Sequence, residues 1–293
     1  MIEEYSNPEV PHEVNVSEKR PVTDFLRLCA GVVIVVVPLA ALVFFGARLF
    51  APKIPFRYEA MLNDSLSEKN GILRSHFSGA CAAEEKEGLR SLQSMSDRLA
   101  GVMELPEEMK IRVHLSDARD PNAFATLGGN VSVNRGLIEN IHTENGLAMV
   151  IAHEIAHVRR RDPIVSLGGG VSVALLLSVL IGNADGGSLV AWAAGFTQLS
   201  FSREQEAEAN AAALSALKAR YGYTNGADEF FVHITKKYPR ASSLPAFVST
   251  HPTPESRLRE IRASFDPVSR KEKPLPDALR RLQLCWKKHP SGL

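Results

Sequence analysis

Net charge is nearly absent from this chain: 34 Lys and Arg against 33 Asp and Glu leave a formal +1 over 293 residues. That removes the electrostatic case for nucleic-acid binding. No phosphate-cradling glycine loop and no basic aromatic module appears either, so the usual sequence marks of nucleotide or nucleic-acid partners are missing. Cysteine is scarce, with three in all. Cys29 lies in an apolar run, while Cys81 and Cys285 stand near the two ends of the remaining chain. Those two are either unrelated reduced thiols or one disulfide that staples the C-terminal end to the domain in an oxidising compartment.

Charge is also missing locally. Residues 28–47 carry none and are rich in Val, Leu and Phe, and twenty such residues match the thickness of a bilayer core. The expectation is an uncleaved single-pass anchor over 25–50, in contact with membrane lipid, since the run starts too deep for an ordinary signal peptide. Residues 1–24 are acidic, polar and proline-containing and read as a flexible tail. Lys19, Arg20 and Arg27 precede the run and Arg48, Lys53 and Arg57 follow it, a near tie on the positive-inside rule. The orientation expected is a short N-terminal tail inside and an extracytoplasmic domain, on the periplasmic side in a bacterium.

What is present is His153-Glu154-Ile155-Ala156-His157, at the end of an apolar helical run over 146–158. Positions four apart on a helix lie about 40° apart, so the two imidazoles share a face. That suits two nitrogen ligands on one zinc, with Glu154 beside them to act on a metal-activated water. Leu147 to Ala152 on one side and Ile155, Ala156 and Val158 around the motif make the helix apolar all round, hence buried. Buried histidines and a glutamate need partners, and a metal supplies them. Arg159, Arg160, Arg161 and Asp162 are expected to bring the helix out to solvent, with Pro163 stopping it.

A catalytic zinc takes three protein ligands and keeps one position open. The best source of the third lies about fifty residues on, in Ser202-Arg203-Glu204-Gln205-Glu206-Ala207-Glu208-Ala209-Asn210, which opens a second helical run. Glu206, Ala209, Asn210 and Ala213 fall on one face, and the alanines allow close approach to the first helix. The other reading of Glu204, Glu206 and Glu208 is a solvated acidic face.

The HExxH motif followed by Ser-Arg-x-x-Glu-x-x-Ala-Asp resembles the M48 family of zinc metallopeptidases. The resemblance carries the third ligand to Glu206, so that one Zn²⁺ per chain is held by His153, His157 and Glu206. It departs at Asn210, where the family has Asp. That Asp orients a ligating histidine from behind, and an amide can accept the same hydrogen bond only without the charge that raises ligand basicity. Asn122-Ala123-Phe124-Ala125 and the stretch through Val133 are similar to the family's Asn-Ala-Phe-Ala segment and the strand after it. Val131 and Val133 alternate with Ser132 as a half-exposed strand would. In zinc peptidases of this general fold an edge strand beside the metal pairs with extended substrate, so the resemblance implies that Gly129, Asn130 and Val131 bind peptide; the other reading is an ordinary hairpin around Gly128-Gly129. Thr250-His251-Pro252 resembles a further family segment, with Arg257 following, and implies that His251 helps hold the oxyanion.

The resemblance covers residues 120–262 and implies an α+β fold: a mainly helical zincin (gluzincin-like) catalytic domain over 102–265 with a small β-sheet, behind an N-terminal transmembrane helix. Residues 51–101 read as a helical linker, with Leu66, Leu73, Leu89, Leu92, Met95 and Leu99 buried. Ile111, Val113 and Leu115 alternate as a strand, and 136–141 suits a short helix. Residues 163–202 either form a membrane hairpin or, as favoured, an apolar excursion packed on the domain or lying on the membrane surface. Residues 266–293 read as a polar linker and tail. The function expected is a membrane-anchored zinc endopeptidase acting on protein or peptide substrates in protein quality control, with no partner protein indicated. The alternatives are a membrane-tethered chaperone or adaptor on a metallopeptidase scaffold, with Asn210 as the first sign of decay, and a small-molecule zinc hydrolase.

Overall fold

The computed structural model describes residues 21–70, 79–168, 201–237, 254–266 and 272–290. Helix α1 (Pro21–Phe50) is the apolar run, and none of its most hydrophobic stretch is buried. It is the one helix among the described residues long and apolar enough to cross a membrane. A 3-10 turn at Ala51–Lys53 leads into α2 (Phe56–Asn70), and α3 (Ala82–Val102) follows. Leu92, Met95 and Leu99 of α3 are buried at helical spacing, with Leu89 half-buried beside them. Leu73 lies outside the described residues, as does the side chain of Leu66.

The sheet has three strands: β1 (Arg112–Ser116), β2 (Ala123–Ala125) and β3 (Asn130–Asn134), in the order β1-β3-β2. β3 runs parallel to β1 and antiparallel to β2. The strand expected at an edge is therefore the central one. All five residues of β3 are buried, Ser132 included, so the alternation of Val131 and Val133 reflects two covered faces and not a half-exposed strand. The β2–β3 turn needs glycine at two left-handed positions, Gly128 (φ 68) and Gly129 (φ 77). A Cβ at Gly129 would also run into the Lys110 carbonyl.

After the short α4 (Arg135–Glu139) comes α5 (Glu144–Arg160), buried without a break from Asn145 to Val158. Thr143 caps it by accepting from Gly146 N–H at 3.0 Å. The Glu229 carboxylate in turn accepts from the His142 and Thr143 amides at 2.7 and 2.9 Å. Around α5 pack α3, β2, α6 (Arg203–Tyr221) and α7 (Glu229–Lys237), with α6 its closest neighbour. Ala209, Ala213 and Ala216 face α5 from within the core, as the small residues on that face predict. Helix α8 (Pro254–Ala263) lies against α7.

The C-terminal end is part of the core. Helix α9 (Asp277–Lys288) buries Leu279, Leu282 and Trp286 against α3. Gly88 faces Leu282 there, whose side-chain end a Cβ would have to displace. Trp286 Nε1–H donates to Glu85 at 3.0 Å, and Cys81 and Cys285 form a disulfide, closing 204 residues of chain with their Cα atoms 5.8 Å apart. Residues 277–288 are thus a structural helix that completes the core, where the sequence alone suggests a tail.

Candidate metal centre and active site

His153 and His157, one turn apart on α5, are 1% and 0% exposed, and Glu206 on α6 is 3% exposed. Their Nε2 atoms stand 3.1 Å apart, and the Glu206 oxygens lie 3.4 Å from His153 Nε2 and 3.5 Å from His157 Nε2. Tetrahedral ligands at the usual zinc distances of about 2.0–2.2 Å stand roughly 3.3–3.6 Å from one another. The three donor atoms therefore fit one such ion, and they are the one group of this kind among the described residues. Glu204 and Glu208 do not join it. Glu208 pairs with Arg160 at the surface, and the acidic run is divided between site and solvent.

Helix geometry accounts for the division. Ser202 accepts from Gln205 N–H at 3.3 Å while Gln205 Oε1 accepts from Ser202 N–H at 2.9 Å, a reciprocal cap that fixes the first turn of α6. Gln205 and Glu206 then face inward and Glu204 and Glu208 outward.

His157 Nδ1 lies 2.8 Å from Asp162 Oδ2, a contact that the sequence alone does not disclose. With that carboxylate accepting the Nδ1 proton, the Nε2 lone pair faces His153 and Glu206. The other Asp162 oxygen accepts from Gln205 Nε2 at 2.7 Å, so one buried carboxylate joins the end of α5 to the start of α6. Arg159 and Arg160 do reach solvent, but Arg161 and Asp162 turn back inside at 7% and 2% exposure. The helix is stopped by Arg161, left-handed at φ 64 and ψ 25, and not by Pro163, which sits in the next helical turn. Asn210 is buried, but its Oδ1 accepts no hydrogen bond among the described residues, and the carboxylate behind His157 is Asp162. Asn210 instead lines a cavity of about 650 Å³ with Arg203, Glu206, Arg257 and Glu260.

Glu154 is fully buried, and its Oε2 accepts from Ala125 N–H at 2.9 Å. β2 thus touches Glu154 directly. The backbone amides of Thr126 and Asn134 close the ladder between β2 and β3. Gly129, Asn130 and Val131 lie in the turn and central strand, with β1 and β2 on either side, so they present no open edge to a peptide. The Asn130 side chain is engaged with His114 Nε2 and the Leu127 carbonyl, both at 2.8 Å. The edge beside α5 is β2. The expected segment does lie beside the helix, but the strand that meets it is the one before β3.

Arg257 on α8 is 2% exposed and its guanidinium contacts the Glu206 carboxylate. Burial pulls its pKa down to about 10, against the opposing effect of Glu154 and Glu260. His251 lies outside the described residues. Phe201 stacks on the His157 ring with centroids 4.0 Å apart, covering its face.

Known proteins resemble this chain over the same region. The model of the family described as Peptidase family M48 matches residues 87–264. A putative beta-barrel assembly-enhancing protease of Vibrio cholerae is 35% identical over 161 residues, covering 49% of this chain and 32% of its own. The mitochondrial metalloendopeptidase OMA1 of Schizosaccharomyces pombe is 30% identical over 156 residues, covering 53% of this chain and 46% of its own. A protease HtpX homolog of Persephonella marina is 30% identical over 197 residues, covering 52% and 68%. The chain spans a third to a half of the length of the first two. The matched region runs from α3 to α8 and takes in both helices of the His153–His157–Glu206 cluster and the strand that holds Glu154; this chain belongs to peptidase family M48.

Proposed function

We propose that the chain is a membrane-anchored, zinc-dependent endopeptidase with a zincin catalytic domain, acting on protein substrates. The observation that carries this is the triangle of His153, His157 and Glu206, with buried Glu154 one residue from the first ligand. His153 Nε2, His157 Nε2 and a Glu206 carboxylate oxygen would hold one zinc. When bound, zinc supplies Lewis acidity to the scissile carbonyl and to the attacking water. Glu154 takes the proton of that water and returns it to the leaving amine, acting as base and then acid. Its bond from Ala125 N–H keeps the carboxylate aimed during both transfers. The extended substrate lies beside β2, the strand next to the metal helix, whose Ala125 N–H is itself taken by Glu154. Arg257 holds Glu206 in place, and His251 completes oxyanion stabilisation.

Exposed α1 serves as a single-pass membrane anchor. The Cys81–Cys285 disulfide favours an oxidising compartment, hence an extracytoplasmic catalytic domain. The relatives are named for beta-barrel assembly and mitochondrial proteolysis, and membrane protein quality control is the role proposed for this chain.

The test is Glu154→Gln. The variant should bind zinc stoichiometrically and lose casein cleavage by a factor of at least about 10². Cleavage at the wild-type rate would refute the mechanism, and absence of zinc from the wild type would refute the metal centre.

A further inference from the structure

Glu59 lies on α2, upstream of the region that matches the family and immediately after the apolar helix. It is 2% exposed, yet both of its oxygens are engaged with parts of the catalytic domain more than sixty residues away. Oε1 accepts from Gly128 N–H at 3.0 Å, and Oε2 accepts from Arg161 Nε at 2.7 Å. The Arg161 guanidinium also donates to the Ile54 carbonyl at 2.9 Å and lies over the Phe56 ring at 5.3 Å. Three residues of the segment 54–59 therefore grip one arginine.

That arginine sets the turn on which the metal centre depends. On an unbroken helix, positions five apart point about 140° away from each other, so Asp162 could not meet His157. The left-handed conformation of Arg161 breaks the helix and brings Asp162 back to 2.8 Å from His157 Nδ1. L-residues other than Asn and Asp avoid that conformation, and Arg has no local side-chain bond that favours it. Its backbone N–H bonds the His157 and Val158 carbonyls, and its side chain is held by the segment 54–59. The other oxygen of Glu59 fixes the Gly128 turn between β2 and β3, and β2 carries the Ala125 amide that holds Glu154.

We propose that Glu59 is a positioning residue that ties the segment after the membrane helix to the metal centre, acting through Arg161 on Asp162 and His157. The proposal rests on the metal-centre reading above. A buried Glu–Arg pair is weak support for stability compared with an apolar pair of the same volume, so a positional role accounts better for a pair placed here.

The experiment measures zinc affinity of the full chain in detergent micelles by competition with a chromophoric chelator, alongside the thermal midpoint of each variant. Glu59→Ala and Arg161→Ala should weaken zinc binding by about tenfold or more, the range seen when a group behind a ligand is disturbed. Two double variants remove the buried charges and keep an acceptor for Gly128: Glu59→Gln with Arg161→Gly, and Glu59→Gln with Arg161→Ala. They differ by one methyl group, and glycine takes the left-handed turn unaided. The glycine double should return to within about threefold of wild type while the alanine double stays weak. The thermal midpoints show whether either double has only lost its fold, and equal zinc affinity in the two folded doubles overturns the proposal. Glu59→Ala binding zinc as tightly as wild type also overturns it, leaving the metal reading intact. A wild type that takes up no zinc removes the metal reading and this proposal with it.

Discussion

Replacing Asp162 by Asn changes no volume and one charge, and three hydrogen bonds decide its effect. Oδ2 accepts from His157 Nδ1 at 2.8 Å and from Arg160 Nε at 3.3 Å, while Oδ1 accepts from Gln205 Nε2 at 2.7 Å. An amide has one acceptor oxygen and one donor group. If its oxygen faces His157, its NH2 meets the Gln205 NH2. Gln205 cannot turn over without losing the 2.9 Å bond from Ser202 N–H that closes the cap of α6. If instead its NH2 faces His157, the ring proton must move to Nε2, and Nε2 can no longer ligate. Either way a buried donor loses its acceptor, at a cost of about 1–3 kcal/mol. The loss of the negative partner should weaken zinc by roughly tenfold to a hundredfold, or about 1.4–2.7 kcal/mol. Chelator competition reads the affinity, and heat denaturation without zinc reads the protein cost separately. Asn210→Ala is the control: its Oδ1 accepts no bond among the described residues, so zinc affinity should change by less than about threefold. If Asp162→Asn binds zinc within a factor of about two of wild type, the tautomer argument is wrong.

The Cys81–Cys285 disulfide closes 204 residues, which in the chain-entropy treatment is worth about 5 kcal/mol. Replacing both cysteines by alanine should abolish the mobility difference between reducing and non-reducing gels and lower the thermal midpoint, and an unchanged midpoint would argue against the staple. Glu85 gives a pH signature. Burial raises its carboxyl above the ordinary value of 4.5, opposed by the bond from Trp286. The folded state therefore holds the proton more tightly than the unfolded chain, and stability falls as pH rises through the folded pKa. Glu85→Gln keeps an acceptor for Trp286 and removes the penalty, so it should be stabilising at pH 7 and lose that advantage near pH 4. A variant less stable than wild type at pH 7 would contradict the sign.

The two ligand helices are legible in the sequence because their geometry is local. A four-residue spacing fixes where His153 and His157 point, and alanines at 209, 213 and 216 mark the face that approaches α5. The rank of β3 within the sheet is not legible, since it depends on β1 pairing across thirteen intervening residues, and a sequence that alternates apolar and polar residues reads the same at an edge or in the centre. Leu279, Leu282 and Trp286 do carry a helical signal, spaced three and four apart on a segment that also holds Asp277, Arg280, Arg281, Lys287 and Lys288. The proline-rich linker just before them masks it, because such a linker usually leads into a tail. Glu59 leaves no local trace at all: its partners are set by tertiary packing, and an acidic residue in a polar helix looks solvated until those partners are known.

The run Arg159–Asp162 shows most clearly how a local rule can be overruled. Four charged residues after an apolar helix ordinarily mark its exit to water. Here the first two leave and the second two return, because a single left-handed residue reverses the chain. The return has a chemical consequence for position 210. An amide there would weaken the metal site only if position 210 were the source of the charge behind a ligating histidine. In this chain that charge comes from Asp162, five residues after His157 and fully hydrogen-bonded. Basicity at the proposed ligand His157 is therefore maintained from its own helix end, whatever stands at position 210. The burden instead moves to the turn at Arg161, whose side chain is bonded by Ile54 and Glu59 of the segment after α1.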